Sequence, residues 1–160
     1  MATSPWIPVH EDKIDNDIDY MMNIILDSFL NLVLNDSNDD IKIKMLINLD
    51  ERYDKLLSTN KFFNKLILTL NFSDNNIREK VVCIFGRILH YNYTTIITYI
   101  KKSILDIFNR LDLSLDNGEK VDAIILLNYY VKYSGSHILD YVEIIFSTLI
   151  KILKIVNKLY

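Results

Sequence analysis

The side chains best suited to chemistry are few and scattered along the chain. Histidines stand at 10, 90 and 137, a lone cysteine at 83, and acidic groups at Asp36, Asp39 and Asp40 and again at Asp50, Glu51 and Asp54. Zinc sites use histidines one helical turn apart or paired cysteines. His10, His90 and His137 have no acidic or cysteine partner at such a spacing and read as surface or turn residues. A single cysteine excludes an intramolecular disulfide and a cysteine-based zinc site. Cys83 lies between the apolar Val82 and Ile84, so it reads as a buried, inert thiol rather than a nucleophile. The Asp36–Asp40 run lacks the glycine and terminal glutamate of a calcium loop, and capping of a helix accounts for it. Phosphoryl transfer would need His-Arg-Asp, Asp-Phe-Gly and a glycine-rich phosphate loop. None occurs, and Asp112-Leu113-Ser114 does not replace them. The residue types therefore predict no catalytic site, no metal and no cofactor.

What remains are residues suited to contact. Asp50, Glu51, Arg52 and Asp54 form a charged cluster that reads either as a partner-binding patch or as a solvated face with Arg52 paired locally. Between these lies a third reading, in which Arg52 or Arg87 bridges adjacent helical layers and fixes their stacking. Gly86 falls inside a helical stretch, where glycine costs about 1 kcal/mol relative to alanine; the close approach of a neighbouring helix would offset that. Tyr91, Tyr93, Tyr129, Tyr130 and Tyr133 either form an adhesive aromatic surface or bridge core and solvent. Arg78 and Tyr141 complete the set of candidate packing or interface residues.

The elements that must carry these residues are helices. Only 3 glycines and 2 prolines occur in 160 residues, with both prolines before Val9. Half the residues are hydrophobic and 24% charged, which suits a packed core rather than disorder. Apolar residues recur with helical spacing in four stripes. These are Ile25, Phe29, Leu32 and Val33; Phe63, Ile67 and Leu70; Ile97, Ile100, Ile104, Ile107, Phe108 and Leu111; and Ile138, Val142, Ile145, Leu149, Ile152 and Val156. Polar, cap-forming segments at 35–40, 73–76 and 116–118 introduce three further helices between them.

Superposing those three helices at Ile41, Ile77 and Glu119 gives steps of 36 residues from 41 to 77 and 42 from 77 to 119. A basic residue follows each time (Lys42, Arg78, Lys120), and then Met45, Val81 and Ala123; Leu46, Val82 and Ile124; Leu49, Phe85 and Leu127; Tyr53, Leu89 and Val131 fall in register. The step brackets the roughly 40-residue period of HEAT-type arrays. The predicted fold is all-α, a HEAT- or armadillo-like solenoid of about three helix pairs plus a terminal helix. An irregular lead-in occupies 1–17; the pairs fall near 18–57, 60–91 and 95–134, and the final helix at 137–159. A helix pair cannot cover its own apolar face, so pairs stack and share a core. The last helix then has no following layer, as in an array cut in mid-repeat, and self-association through it is expected.

The net charge of −3 and the isoelectric point of 5.6 provide no electrostatic footprint for nucleic acid. The N-terminus lacks a signal-peptide pattern. Residues 138–160 carry Asp140, Glu143, Lys151, Lys154 and Lys158, too many charges for a membrane span. A cytoplasmic location is expected.

Several segments resemble, in order and in spacing, the N-terminal HEAT region of TOR, a phosphatidylinositol-3-kinase-related Ser/Thr protein kinase. They are Leu49-Asp50-Glu51-Arg52-Tyr53-Asp54, Ile77-Arg78-Glu79, Gly86-Arg87-Ile88-Leu89, Tyr99-Ile100-Lys101-Lys102 and Asp140-Tyr141-Val142-Glu143. The resemblance covers about 35–153. In that family the kinase domain lies far C-terminal to this region, and the HEAT region positions accessory subunits, such as a Raptor-type adaptor, and takes part in dimerisation. The resemblance implies a non-catalytic scaffold segment with protein partners among TOR-complex subunits. The alternative is a free-standing HEAT- or armadillo-type adaptor that binds proteins through its groove.

Overall fold

The computed structural model describes the backbone of residues 11–156 and the side chains of residues 17–150. Within that range the chain is all-helical, with no strand. Its helices are α1 (Glu11–Asn35), α2 (Asp39–Ile47), α3 (Asp54–Leu57), α4 (Asn60–Thr69), α5 (Asn75–Ile88), α6 (Tyr93–Leu113), α7 (Asn117–Ser134) and α8 (Val142–Val156). Two 3-10 segments, Glu51–Tyr53 and Gly135–Tyr141, lead into α3 and α8.

The three polar segments act as the sequence demands. Asn38, Asp74 and Asp116 are the N-caps of α2, α5 and α7, and each side-chain oxygen accepts from backbone N–H groups of the first turn. Asp36 supports the first cap, because its Oδ1 accepts from the Asn38 N–H at 2.7 Å. The caps recur at 38, 74 and 116, the same steps that separate Ile41, Ile77 and Glu119.

Helix α1 packs on α2 and α4; α2 packs on α5; α5 packs on α4 and α7; α6 packs on α7. A continuous core runs from Leu26, Leu30 and Val33 through Phe62, Phe63 and Leu66 to Ile104, Ile107 and Leu127. At its centre Phe63, Phe85 and Tyr99 bring α4, α5 and α6 together, with ring centroids 5.0 to 5.7 Å apart and Tyr99 edge-on to both phenylalanines. The α6 stripe is buried at every predicted position.

Four expectations change. The lead-in foreseen over 1–17 lies outside the described residues at 1–10, and 11–17 is already helix. The stripe of α1 is partly shifted: of its expected members Ile25 and Leu32 are exposed, Phe29 is half-buried and Val33 is buried, and Leu26 and Leu30 are buried in addition. Because α1 touches both α2 and α4, its buried face points between the two, and that direction is not set by its own period. The first of the superposed helices is not continuous. It stops at Ile47, and the Asp50 carboxylate accepts from the Arg52 N–H to open a new 3-10 turn. The final helix, expected from about 137, begins as the 3-10 segment and turns α-helical only at Val142. Gly135 at φ +50° makes the break, a conformation that disfavours any residue with a Cβ. The part of that helix expected over 157–159 lies outside the described residues.

Candidate functional site

Three joints between helices bring polar side chains together from distant parts of the chain. In the first joint, α1 meets α4. Asp27 accepts from Lys65 and pairs with Lys61, each at 2.8 Å, and Lys65 also reaches Asn31 Oδ1 at 2.6 Å. The two ammonium groups hold the Asp27 carboxyl below its ordinary value.

The second joint ties α5 to the irregular stretch before α3. Arg87 Nε donates to both oxygens of Asp54, at 2.8 and 2.9 Å, and its Nη2 donates to the carbonyls of Leu49 at 2.6 Å and Asp50 at 3.3 Å. One guanidinium thus satisfies a carboxylate and two carbonyls left over where the helix breaks, the geometry in which arginine is strongest. Asp54 is 98% buried, and burial raises its pKa while Arg87 opposes that shift. Asn92 Nδ2 adds a bond to the Ser58 carbonyl at 2.9 Å.

The third joint joins α5 to α7. A Cβ at Gly86 would overlap the carbonyl oxygen of Tyr133 and stand 3.3 Å from its Cβ, so α7 lies directly on this glycine. Two turns earlier, Glu79 accepts from Lys132 Nζ and from the Tyr133 hydroxyl, both at 2.8 Å. The Lys132 bond first, and then the Tyr133 bond, hold the Glu79 carboxyl below its usual range. Arg78, almost fully buried, donates through Nη2 to the Ser73 carbonyl at 3.2 Å, to Asn75 Oδ1 and to Asp122 Oδ1 at 3.4 Å.

The seven candidate residues therefore separate. Asp50, Glu51, Arg52 and Arg87 border one shallow depression together with Ile47. Within it Arg52 bonds only its neighbour Asp50, through Nε at 3.0 Å and Nη2 at 2.6 Å, and is 78% exposed at its side chain. Of the two arginines proposed as bridges, the one that spans helices is Arg87. Arg78 and Gly86 both face α7. Tyr141 stands apart at the far end, where the Lys101 ammonium lies 5.8 Å from its ring and 3.7 Å from Asp140.

The tyrosines do not form one surface. Tyr130 is fully buried, Tyr129 and Tyr133 are half-buried, and Tyr91 and Tyr93 are exposed. Cys83 is half-buried rather than buried. His90 Nδ1 lies 3.0 Å from the Arg87 carbonyl, His137 meets the edge of Tyr93, and His10 lies outside the described residues. The repeated basic position proves structural in two cases. Lys42 is buried against Asp39 at 2.8 Å and over the Phe72 ring at 3.9 Å, and Arg78 is buried as described.

Sequence reasoning missed the partners of these residues. Asp54 is 33 positions from Arg87, and Glu79 is 53 from Lys132; no local spacing links them. It also missed the open apolar face of α1, where Ile18, Met21, Ile24, Ile25 and Leu32 are exposed.

At the other end, α7, the 3-10 segment and α8 enclose an apolar groove of about 440 Å³. Ile124, Leu127, Asn128 and Val131 form its α7 wall, and Ile145, Phe146 and Leu149 its α8 wall. The α7 wall is the register equivalent of Val82, Phe85, Gly86 and Leu89 on α5, the face that α7 itself covers.

Among the described residues the chain is thus all-helical, with polar side chains tying three joints between packed helices. Over 119 residues, 74% of its length, it is 28% identical to the Serine/threonine-protein kinase tor1 of Schizosaccharomyces pombe. The match spans 5% of that kinase. No protein-family model matches the chain. No helix among the described residues is long and apolar enough to cross a membrane.

Proposed function

We propose that this chain is a non-catalytic helical-repeat scaffold segment of the HEAT type, related to the N-terminal HEAT region of TOR kinases. The observation that carries the reading is the recurrence of one design in three helices. Caps at 38, 74 and 116 start α2, α5 and α7, and these helices lie one on the next in that order. Residues at equal distance from each cap (Leu49, Phe85, Leu127) are buried, the first of them just beyond the end of α2. The similarity to tor1 supports the choice of family.

As a scaffold, the segment works by stiffness. Joints such as Arg87–Asp54 and Gly86–Tyr133 hold each layer at one angle to the next and leave the end faces for protein contacts in TOR-type signalling. Those contacts are with TOR-complex subunits, a Raptor-type adaptor among them, in the cytoplasm, and the chain itself carries no enzymatic activity. The apolar groove beside α8 favours self-association as a further contact. Sedimentation of the purified chain tests this: wild type self-associates at tens of micromolar and Leu149→Asp is monomeric, whereas a strictly monomeric wild type removes the idea.

An immunoblot of whole-cell lysate, with antibody raised to residues 35–153, tests the scaffold reading. A band of several hundred kilodaltons supports a slice of a kinase scaffold. A band near 18.8 kDa moves the reading to a free-standing helical-repeat adaptor.

A further inference from the structure

The packing order along the chain is α1 with α2, α4 with α5, α6 with α7, and then the 3-10 segment with α8. Apolar side chains are left open at both ends of that order. Helix α1 enters the core through Leu26, Leu30 and Val33, and no described residue from Asp17 to Ile25 is buried. Over that first part Ile18, Met21 and Ile25 are exposed at positions i, i+3 and i+7, and Leu32 continues the stripe seven residues on. This is the spacing of the anchors by which an amphipathic helix enters an apolar groove. At the other end, the groove of about 440 Å³ between α7 and α8 has Val131 45% exposed on one wall and Phe146 62% exposed on the other. Asn128 is the one polar side chain among the described residues that line it, so the groove offers little to orient a small polar ligand and much to receive apolar side chains.

We propose that the groove between α7 and α8 receives α1 of a second copy of this chain, with Met21 and Ile25 entering it and Ile18 and Leu32 at its margins. The inference rests on the self-association proposed above and adds which surface of the second copy is used. Charge selects that surface and its direction. From Ile14 to Asn35 the chain holds Asp15, Asp17, Asp19 and Asp27 and no base, and Asp17 and Asp19 are exposed. From Ile144 to Tyr160 it holds Lys151, Lys154 and Lys158 and no acid. Pairing α1 with α1, or α8 with α8, joins surfaces of one sign, whereas α1 against α8 joins opposite signs. An antiparallel arrangement brings the aspartate end of α1 to the lysine end of α8 and sets the two helix dipoles in favourable opposition. The contact is heterologous: one copy offers α1 and the other the groove.

Two variants at exposed positions separate the surfaces, read by sedimentation of the full chain at tens of micromolar. Met21→Asp spoils α1 and leaves the groove intact, and Phe146→Asp spoils the groove and leaves α1 intact. Each alone associates about a hundredfold more weakly than wild type, the effect of losing one buried apolar side chain and placing a charge there. An equal mixture of the two restores a 1:1 complex, because each variant supplies the surface that the other lacks. Wild-type association weakens as salt is raised to about 0.5 M, as attraction between opposite charges requires. If wild type associates and Met21→Asp does so equally well, the groove pairs with itself, and this proposal falls while self-association stands. A strictly monomeric wild type removes both. Full association by Phe146→Asp alone, a mixture that stays monomeric, or association strengthened by that salt also overturns the proposal. Ile25→Asp and Leu139→Asp, again at exposed positions of the two surfaces, repeat the test if either first variant unfolds.

Discussion

The face of α5 that carries Val82, Phe85, Gly86 and Leu89 and the face of α7 that carries Ile124, Leu127, Asn128 and Val131 occupy the same register of the repeated design; Phe85 and Leu127 are buried in both, but the residues around them are covered to different extents. On α5, Val82, Phe85 and Leu89 are sealed, because α7 lies against Gly86 and Glu79 clamps it through Lys132 and Tyr133. On α7, Val131 is 45% exposed and Asn128 borders an open groove. The apolar pattern is the same in both, so it does not by itself produce a closed joint. Closure needs a second helix and a residue small enough to admit it.

The largest test of that comparison substitutes its two central residues. Gly86→Val drives a branched side chain into the Tyr133 carbonyl and destabilises the fold by about 3 kcal/mol in urea unfolding. Asn128→Val, at the equivalent place in the open groove, leaves the unfolding midpoint almost unchanged. Equal losses at the two positions would show that the groove is closed in solution.

Next in size is the clasp before α3. Arg87→Ala leaves Asp54 buried without its cation and costs about 2 kcal/mol. Arg52→Ala removes only an exposed local pair and shifts the midpoint by no measurable amount. Were Arg52→Ala the more damaging variant, the bridge would run through the wrong arginine.

A smaller effect separates the two faces by pH. Glu79 has a depressed folded pKa, so the stability it provides is present above its unfolded value of 4.5 and is lost as pH falls through the folded value. Asp54, with a raised folded pKa, acts in the opposite sense: its ionisation lowers stability as pH rises from 3.8 through its folded value. Protection against hydrogen exchange in the paired segments of α5 and α7, taken relative to the free-peptide rate at each pH, therefore falls in acid, and Glu79→Gln lessens that fall. The described residues that line the groove include no carboxylate, so protection in its 3-10 segment does not follow the Glu79 titration.

What the sequence determined by itself is the set of features built within one or two helical turns. The three caps, the positions of the turns and the buried stripe of α6 were legible because a side chain reaches the N–H two or three residues ahead, and because apolar groups four apart share a face. Gly86 was legible too, since a glycine inside a helix signals a neighbour at close range. Tertiary structure decided what lies across a gap. That Asp54 is the partner of Arg87, that Glu79 receives Lys132 and Tyr133, and that α1 buries Leu26 rather than Ile25 all depend on which faces meet. Helix periodicity fixes a face only to within a residue or so, and the angle between two helices selects among the remaining choices. A polar cleft between α5, α6 and α7 belongs to the same category. Arg78, Ser103 and Tyr130 sit on three different helices, and only the packing of all three brings them to one lining.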